Sequence, residues 1–243
     1  MNNSRIIVAL DFANRDSVTA LVKQLDASLC RLKVGKELFT SCGPSLVQEF
    51  IGLGFDVFLD MKFHDIPNTV ARACDVASRL GVWMMTIHAA GGRDMLSRAR
   101  EAVDHSGNKP LLVGVTVLTS MLNKDLQETG IRSSTETQVM RLAHLCRETG
   151  LDGVICSAME AKQLREEFGE EFCLVTPGIR PAGADHNDQR RIVTPAEAVR
   201  LGSDYLVIGR PITQAMDPLK ALYDISAEIE NVTRAPVADG RDY

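Results

Sequence analysis

No run approaches the roughly 18 consecutive apolar residues that a membrane-crossing helix needs, and no two cysteines form a C-x-x-C pair. The opening segment, MNNSRIIVALDFANRD, meets Asp11 before an export signal's apolar stretch is complete, and it offers no small-residue cleavage site. The six cysteines (Cys30, Cys42, Cys74, Cys146, Cys156 and Cys173) are scattered. In a chain long enough to bury a real core they are expected to be free buried thiols in a reducing, cytoplasmic setting rather than disulfides or zinc ligands. Cations are not in excess either. The 27 Lys and Arg face 32 Asp and Glu, a net charge of −5, which argues against a nucleic-acid binder while leaving room for a local cation cluster that holds one small anion. No G-x-G-x-x-G follows a strand candidate, so a dinucleotide cofactor is not indicated.

What is present is an ordinary soluble composition, 45% hydrophobic and 24% charged over 243 residues. Eight short apolar runs alternate with helical patterns: RIIVALD (5–11), CRLKVG (30–35), DVFLDMK (56–62), MMTIHAA (84–90), LLVGVTVL (111–118), GVICS (153–157), CLVTPG (173–178) and YLVIGR (205–210). Near-continuous apolar strands suit a parallel sheet covered on both faces. Their starts lie 20 to 42 residues apart, close to one βα unit each, and eight units in about 250 residues is the (β/α)₈ TIM-barrel pattern. A doubly wound open sheet shares the alternation. One α/β barrel domain is expected over 1–234, with 235–243 a flexible tail. Pro67 and Thr194-Pro195 mark helix starts, Gly81 and Gly150 helix ends. Two connections, 119–135 and 180–191, are longer than packing requires and would lie on the face where barrels build active sites and lids.

Charge interrupts the first three strands: Asp11, Lys33, then Asp60 and Lys62, with Asp65 just beyond. Ions in apolar strands are costly unless paired. Asp60 and Lys62 are two apart, so on an extended strand both point the same way. A single such charge is as well explained by a structural ion pair; several at successive strand ends favour an alternating array at the barrel mouth. A carboxylate beside a lysine favours an ammonium poised as proton donor or as counter-charge to a carbanion. The motifs TPGIRP (176–181) and IGRP (208–211) each end a strand in Gly and Arg. Alone, either is turn punctuation; on adjacent strands they fit a phosphate, with backbone N–H groups approaching closely and forked guanidiniums donating. Gln189 could close over the same anion. His88 is best read as a satisfied polar core residue, His64 is outcompeted by its neighbours, and Ser157 lacks a His–Asp pair to activate it. Thr119 and Ser120 either bond a substrate amide or cap their loop. A divalent metal is disfavoured because Lys33 and Lys62 would repel it.

The D-x-K-x-x-D-I-P-N-T stretch at 60–69, together with Asp11 and KVGKELF (33–39), closely resembles the orotidine 5′-phosphate decarboxylase family. The likeness continues in order through HAAGG (88–92), TVLTSM (116–121), DGVICSA (152–158), LVTPGIRP (174–181), DQRRIVTP (188–195) and DYLVIGRPIT (204–213). The D-x-K-x-x-D element is shared with metal-dependent sugar-phosphate decarboxylases and synthases; Lys33 and the last two strand motifs narrow the resemblance, and His64 is a position the pattern does not fix. The resemblance implies conversion of orotidine 5′-monophosphate to uridine 5′-monophosphate, the final step of de novo pyrimidine synthesis, without metal or organic cofactor. It implies Lys62 as proton donor to pyrimidine C6, with Lys33, Asp60 and Asp65 completing the charged array. It implies a homodimer in which Asp65 and Thr69 reach the neighbouring subunit's site. Asp11 and Lys33 correspond to ribose contacts, Thr119 and Ser120 to pyrimidine contacts, and Arg180, Gln189, Gly209 and Arg210 to the phosphate grip. The rival expectations are a metal-dependent relative acting on a sugar phosphate and a catalytically silent nucleotide-binding barrel.

Overall fold

All eight expected strands form, seven of them shorter than their apolar runs and β3 of equal length but one residue later: β1 (Ile6–Leu10), β2 (Arg31–Gly35), β3 (Val57–Phe63), β4 (Met84–His88), β5 (Leu111–Val115), β6 (Gly153–Ile155), β7 (Cys173–Thr176) and β8 (Tyr205–Ile208). Every neighbouring pair is parallel and β8 closes on β1, so the sheet is a barrel rather than an open doubly wound sheet. The computed structural model describes residues 4–181 and 193–234. Gln189, the rest of the expected lid beyond Pro181, and the expected tail 235–243 lie outside the described residues.

The alternation of side chains explains why the strands look apolar throughout. On β1, Ile7 and Ala9 point into the barrel with Phe58, Met84, Val113, Val175 and Val207. Ile6, Val8 and Leu10 point outward with Leu32, Leu59, Met85, Leu112, Val154, Leu174 and Leu206, against the helices. The same parity on β2 puts Arg31 and Lys33 inside. Arg31, nearly fully buried, lies near the barrel's lower end, its guanidinium carbon 4.3 Å from the Trp83 ring centroid and 5.1 Å from that of Tyr205, with Asp56 as ion partner at 3.3 Å. Lys33 is one layer higher, in register with Ala9 and Phe58.

The helices start where local chemistry directs. Asn14 caps Arg15–Val22 by accepting from Ser17 N–H, and Pro67 opens Pro67–Arg79. Ser134 and Thr194 cap Thr135–Glu148 and Pro195–Arg200. Ser157 is the N-cap of Ala158–Phe168 in a capping box with Glu160, a structural duty consistent with its lack of an activating pair. The connection 119–135 holds a short helix, Asn123–Glu128. All six thiols are free, and burial pushes those of Cys30, Cys74 and Cys146 up to about 12, which keeps them unreactive. Among the described residues no helix is long and apolar enough to cross a membrane.

At the barrel's lower end one device occurs twice. Asp152, just before β6, accepts from Leu112 N–H of β5 at 2.7 Å and from Arg100 at 2.8 Å. Asp204, just before β8, accepts from Leu174 N–H of β7 at 2.7 Å and from Arg165 at 2.7 Å. Each carboxylate satisfies the N–H of the second residue of the preceding strand and neutralises an arginine arriving from the helical layer. Arg165 also donates to the carbonyls of Gly169, Phe172 and Gly202, tying the loop before β7 to the loop before β8. Removing Asp204 leaves a largely buried guanidinium without its closest counter-charge and a strand N–H without its acceptor. Asp204→Ala is therefore expected to cost about 3 kcal/mol of stability, measured by denaturant unfolding; a loss under about 1 kcal/mol, the size of a surface pair, would contradict this account.

Candidate active site

The inward parity of β1, β2 and β3 delivers a chain of alternating charge to the barrel's upper end. Lys33 Nζ lies 3.3 Å from Asp11 Oδ1 and 3.7 Å from Asp60 Oδ2. Lys62 Nζ donates to both oxygens of Asp60 at 2.7 Å. Lys33 and Asp60 are buried, Lys62 is partly so, and Asp11 is open to solvent. Gly35 keeps room for this arrangement: a Cβ there would stand 3.2 Å from Lys33 Nζ. Burial pushes the Asp60 carboxyl up. The charges of Lys33 and Lys62, with hydrogen bonds from Lys62 and Thr86, outweigh it and hold Asp60 below the usual carboxylate value.

Asp60 and Lys62 converge as their spacing predicts, but not on an extended strand. The β3–β4 ladder pairs Leu59 with Met85 and next pairs Phe63 with Ile87, so Asp60, Met61 and Lys62 bulge opposite Thr86 alone. Among the described residues Lys62 is the only non-glycine with positive φ, at 51°, a conformation that costs on the order of 1–3 kcal/mol. Its N–H donates to Thr86 Oγ1 at 2.8 Å, and that hydroxyl donates to Asp60 Oδ1 at 3.0 Å.

A cavity of about 520 Å³ opens above this array. Asp11, Lys33, Asp60, Lys62, Thr119, Arg180, Gly209 and Arg210 all line it. In strand order these form a continuous arc, from Arg180 after β7 through Arg210 after β8 and Asp11 after β1 to Lys33 on β2 and Lys62 on β3. One end of the arc is a pair of guanidiniums and the other an ammonium set in carboxylates. Val115, Val117, Leu118 and Ile155 supply an apolar wall from β5, β6 and the segment after β5. Burial and the neighbouring charge of Arg210 push the buried Arg180 below its usual value, as expected of two cations gathered where an anion is to be held.

Three expected site residues do not line the cavity of this single chain. Asp65 and Thr69 are exposed beside it, where the chain runs from β3 into Pro67–Arg79, and Asp65 accepts from Ile66 N–H at 2.6 Å. Ser120 is also exposed. His88 is partly buried and its ring centroid lies 5.4 Å from that of the exposed His64. Burial, followed by the charges of His64, Lys36 and Lys62, pushes His88 below its ordinary value, against the pull of Asp60. Among the described residues no group of three or more His, Cys, Asp or Glu side chains is placed to hold a metal. Four participants escaped sequence reasoning: Phe12, Thr213 and Gln214, which line the cavity, and Thr86 beneath it. Thr86 carried a usable signal, since it sits two residues before His88 on β4 and shares its face. Thr213 and Gln214 end the one-turn helix Arg210–Thr213, which is too short to carry a periodic signal.

The family model described as orotidine 5′-phosphate decarboxylase / HUMPS family matches residues 4–225. A protein of Nitrosomonas europaea named orotidine 5′-phosphate decarboxylase is 58% identical over 232 residues, covering 96% of this chain and all of the relative. One of Saccharophagus degradans with the same name is 56% identical over 225 residues, covering 93% and 94% of the two chains. Among solved structures, the orotidine 5′-phosphate decarboxylase of Lactobacillus acidophilus superposes with a TM-score of 0.84 at 38% identity, covering 93% of this chain and 99% of that one. Barrel closure, the charged arc and similarity along nearly the whole length agree, and the chain belongs to the orotidine 5′-phosphate decarboxylase / HUMPS family.

Proposed function

We propose that this protein decarboxylates orotidine 5′-monophosphate to uridine 5′-monophosphate, completing de novo pyrimidine nucleotide synthesis, with Lys62 as the proton donor. The observation that carries the reading is the Lys62 ammonium held on both oxygens of the buried Asp60, at one end of an arc whose other end is the Arg180–Arg210 pair. The C6–carboxylate bond breaks and carbon dioxide leaves. The electron pair stays on C6 in the ring plane, where it is poorly delocalised. Lys62 meets that charge with its own and delivers a proton from Nζ to C6; the neutral amine regains a proton from solvent. Stabilisation that grows as charge develops raises turnover, whereas uniform binding does not. The array is preorganised, because the ion pairs fixing Lys33, Asp60 and Lys62 are already made in the free protein.

In this reading Arg180, Gly209 and Arg210 hold the phosphate, Asp11 and Lys33 meet the ribose hydroxyls, and Thr119 with Ser120 meets the pyrimidine edge. Binding energy from the phosphate, remote from C6, is then available to position the ring over Lys62. The reading includes a homodimer in which Asp65 and Thr69 complete the partner's site. Their exposure supports it, as does that of the adjacent Ile66, 67% exposed in the single chain. It assigns no metal to the reaction: the carboxylates are interleaved with Lys33 and Lys62, whose charges would oppose a cation among them.

The purified protein is expected to convert orotidine 5′-monophosphate, followed by ultraviolet absorbance, at an undiminished rate with EDTA present. Activity that disappears with EDTA and returns with a divalent ion on a sugar phosphate would move the protein to a metal-dependent relative. Lys62→Ala should lower turnover by at least about 10⁴-fold while uridine 5′-monophosphate still binds measurably by calorimetry; near-normal turnover would remove Lys62 from its role. Arg210→Ala should weaken uridine 5′-monophosphate by about 2 kcal/mol, roughly 30-fold, and leave uridine affinity nearly unchanged. Equal losses for both ligands would rule out the phosphate assignment.

A further inference from the structure

We propose that Thr86 is a positioning residue for proton delivery, its single hydroxyl clamping the Lys62 backbone to the Asp60 carboxylate across the β3 bulge. The inference rests on the reading of Lys62 as proton donor and names what sets that lysine's position. Thr86 is fully buried and is the sole β4 residue opposite Asp60, Met61 and Lys62. Where the ladder is interrupted, the Lys62 N–H has no strand carbonyl to meet and donates to Thr86 Oγ1 at 2.8 Å instead. The same oxygen spends its own proton on Asp60 Oδ1 at 3.0 Å, and Asp60 in turn takes Lys62 Nζ on both oxygens. The result is a closed ring of hydrogen bonds, from Lys62 backbone to Thr86, to Asp60, to the Lys62 ammonium.

Two other buried threonines, at the upper ends of β5 and β7 on the helix-facing side of the sheet, behave differently. Thr116 donates its hydroxyl to the Ile155 carbonyl at 3.0 Å and Thr176 to the Tyr205 carbonyl at 3.4 Å, each patching the backbone of a neighbouring strand. A threonine that served the barrel alone would do the same. Thr86 bonds two members of the reactive cluster. Because Lys62 holds φ at 51°, its backbone is not at a resting position for a strand residue, and what keeps it there sets where Nζ stands. Without the hydroxyl, the buried N–H loses its acceptor, Asp60 loses a donor, and the bulge is free to relax toward extended geometry, carrying Nζ away from the reacting carbon.

Valine matches threonine in shape and removes both bonds without opening a cavity, whereas serine keeps the hydroxyl. Single-turnover decarboxylation of orotidine 5′-monophosphate is therefore compared in the wild type, Thr86→Val and Thr86→Ser, alongside Kd for uridine 5′-monophosphate. A displacement near 1 Å at a reacting group is enough to cost about 100-fold, so Thr86→Val is expected to lose about 100-fold in rate with the Kd unmoved, and Thr86→Ser to recover most of it. A wild-type rate in Thr86→Val overturns the proposal. So does a parallel loss of rate and nucleotide affinity in both variants, the mark of a purely structural threonine. If the valine variant does not fold, Thr86→Cys, with only a weak sulfur donor and acceptor, replaces it under the same criteria. An active Lys62→Ala would refute the proton-donor reading itself, whereas an inactive Lys62→Ala beside a fully active Thr86→Val refutes the clamp alone.

Discussion

Everything at the mouth of this barrel depends on one buried carboxylate. Asp60 sits with little exposure between two ammonium groups, Lys62 at 2.7 Å and Lys33 at 3.7 Å, and a further hydrogen bond comes from Thr86. Taken out of water alone, a carboxylate would protonate rather than remain charged. Two neighbouring cations reverse that outcome. The dependence is mutual, because Lys33 is nearly as buried as Asp60 and its other partner, Asp11, is open to solvent. The ions are not a net source of stability, since desolvation offsets most of what their attraction supplies. Stability comes instead from the apolar cluster between barrel and helices and from the aspartate–arginine ties at the lower end.

That division between ends has a physical basis. The lower end is regular: Asp152 and Asp204 complete the ladder and Arg31 stacks across Trp83 and Tyr205. The upper end departs from regularity where Lys62 is placed. A continuous β3–β4 ladder would fix Lys62 by strand geometry alone, with its N–H bonded along the sheet. The bulge detaches three residues from that pattern and hands the N–H to a side chain, so the ammonium's place is set by neighbouring groups instead. Strain of this kind persists where the surroundings over-determine it, and here Asp60, Thr86 and the rigid β4 strand do so.

The barrel was legible because parallel strands covered on both faces must be apolar throughout, so any charge in them stands out. Asp11, Lys33, Asp60 and Lys62 were conspicuous for that reason, and all four line one cavity. Strand ends were less legible. The apolar run at 111–118 continues past β5, which stops at Val115, because Val117 and Leu118 line the cavity rather than the sheet. The helix Asn123–Glu128 was missed because six residues are too few to display a period. The bulge was invisible for a different reason. Alternation predicts that Asp60 and Lys62 share a side whether or not the backbone between them is extended, so the correct pairing concealed an unusual route to it. Thr86 was overlooked because threonine is common in strands and its significance lies in what faces it across the ladder.

The two ends of the charged arc differ in the kind of charge each gathers. At the Lys62 end every buried charge has a counter-charge, and the cluster is finished before any ligand arrives. At the other end Arg180 is buried with a second guanidinium close enough to push its pKa down, and burial itself works against the charged form. Two gathered cations repel one another, and a dianion set between them would add charge-assisted hydrogen bonds. A rigid array of paired charges can direct chemistry without reorganising, while a pair of gathered guanidiniums favours the binding of an anion. Under the proposed reaction these are complementary requirements: affinity is drawn from the phosphate, and the ring is presented to an array whose geometry does not have to change.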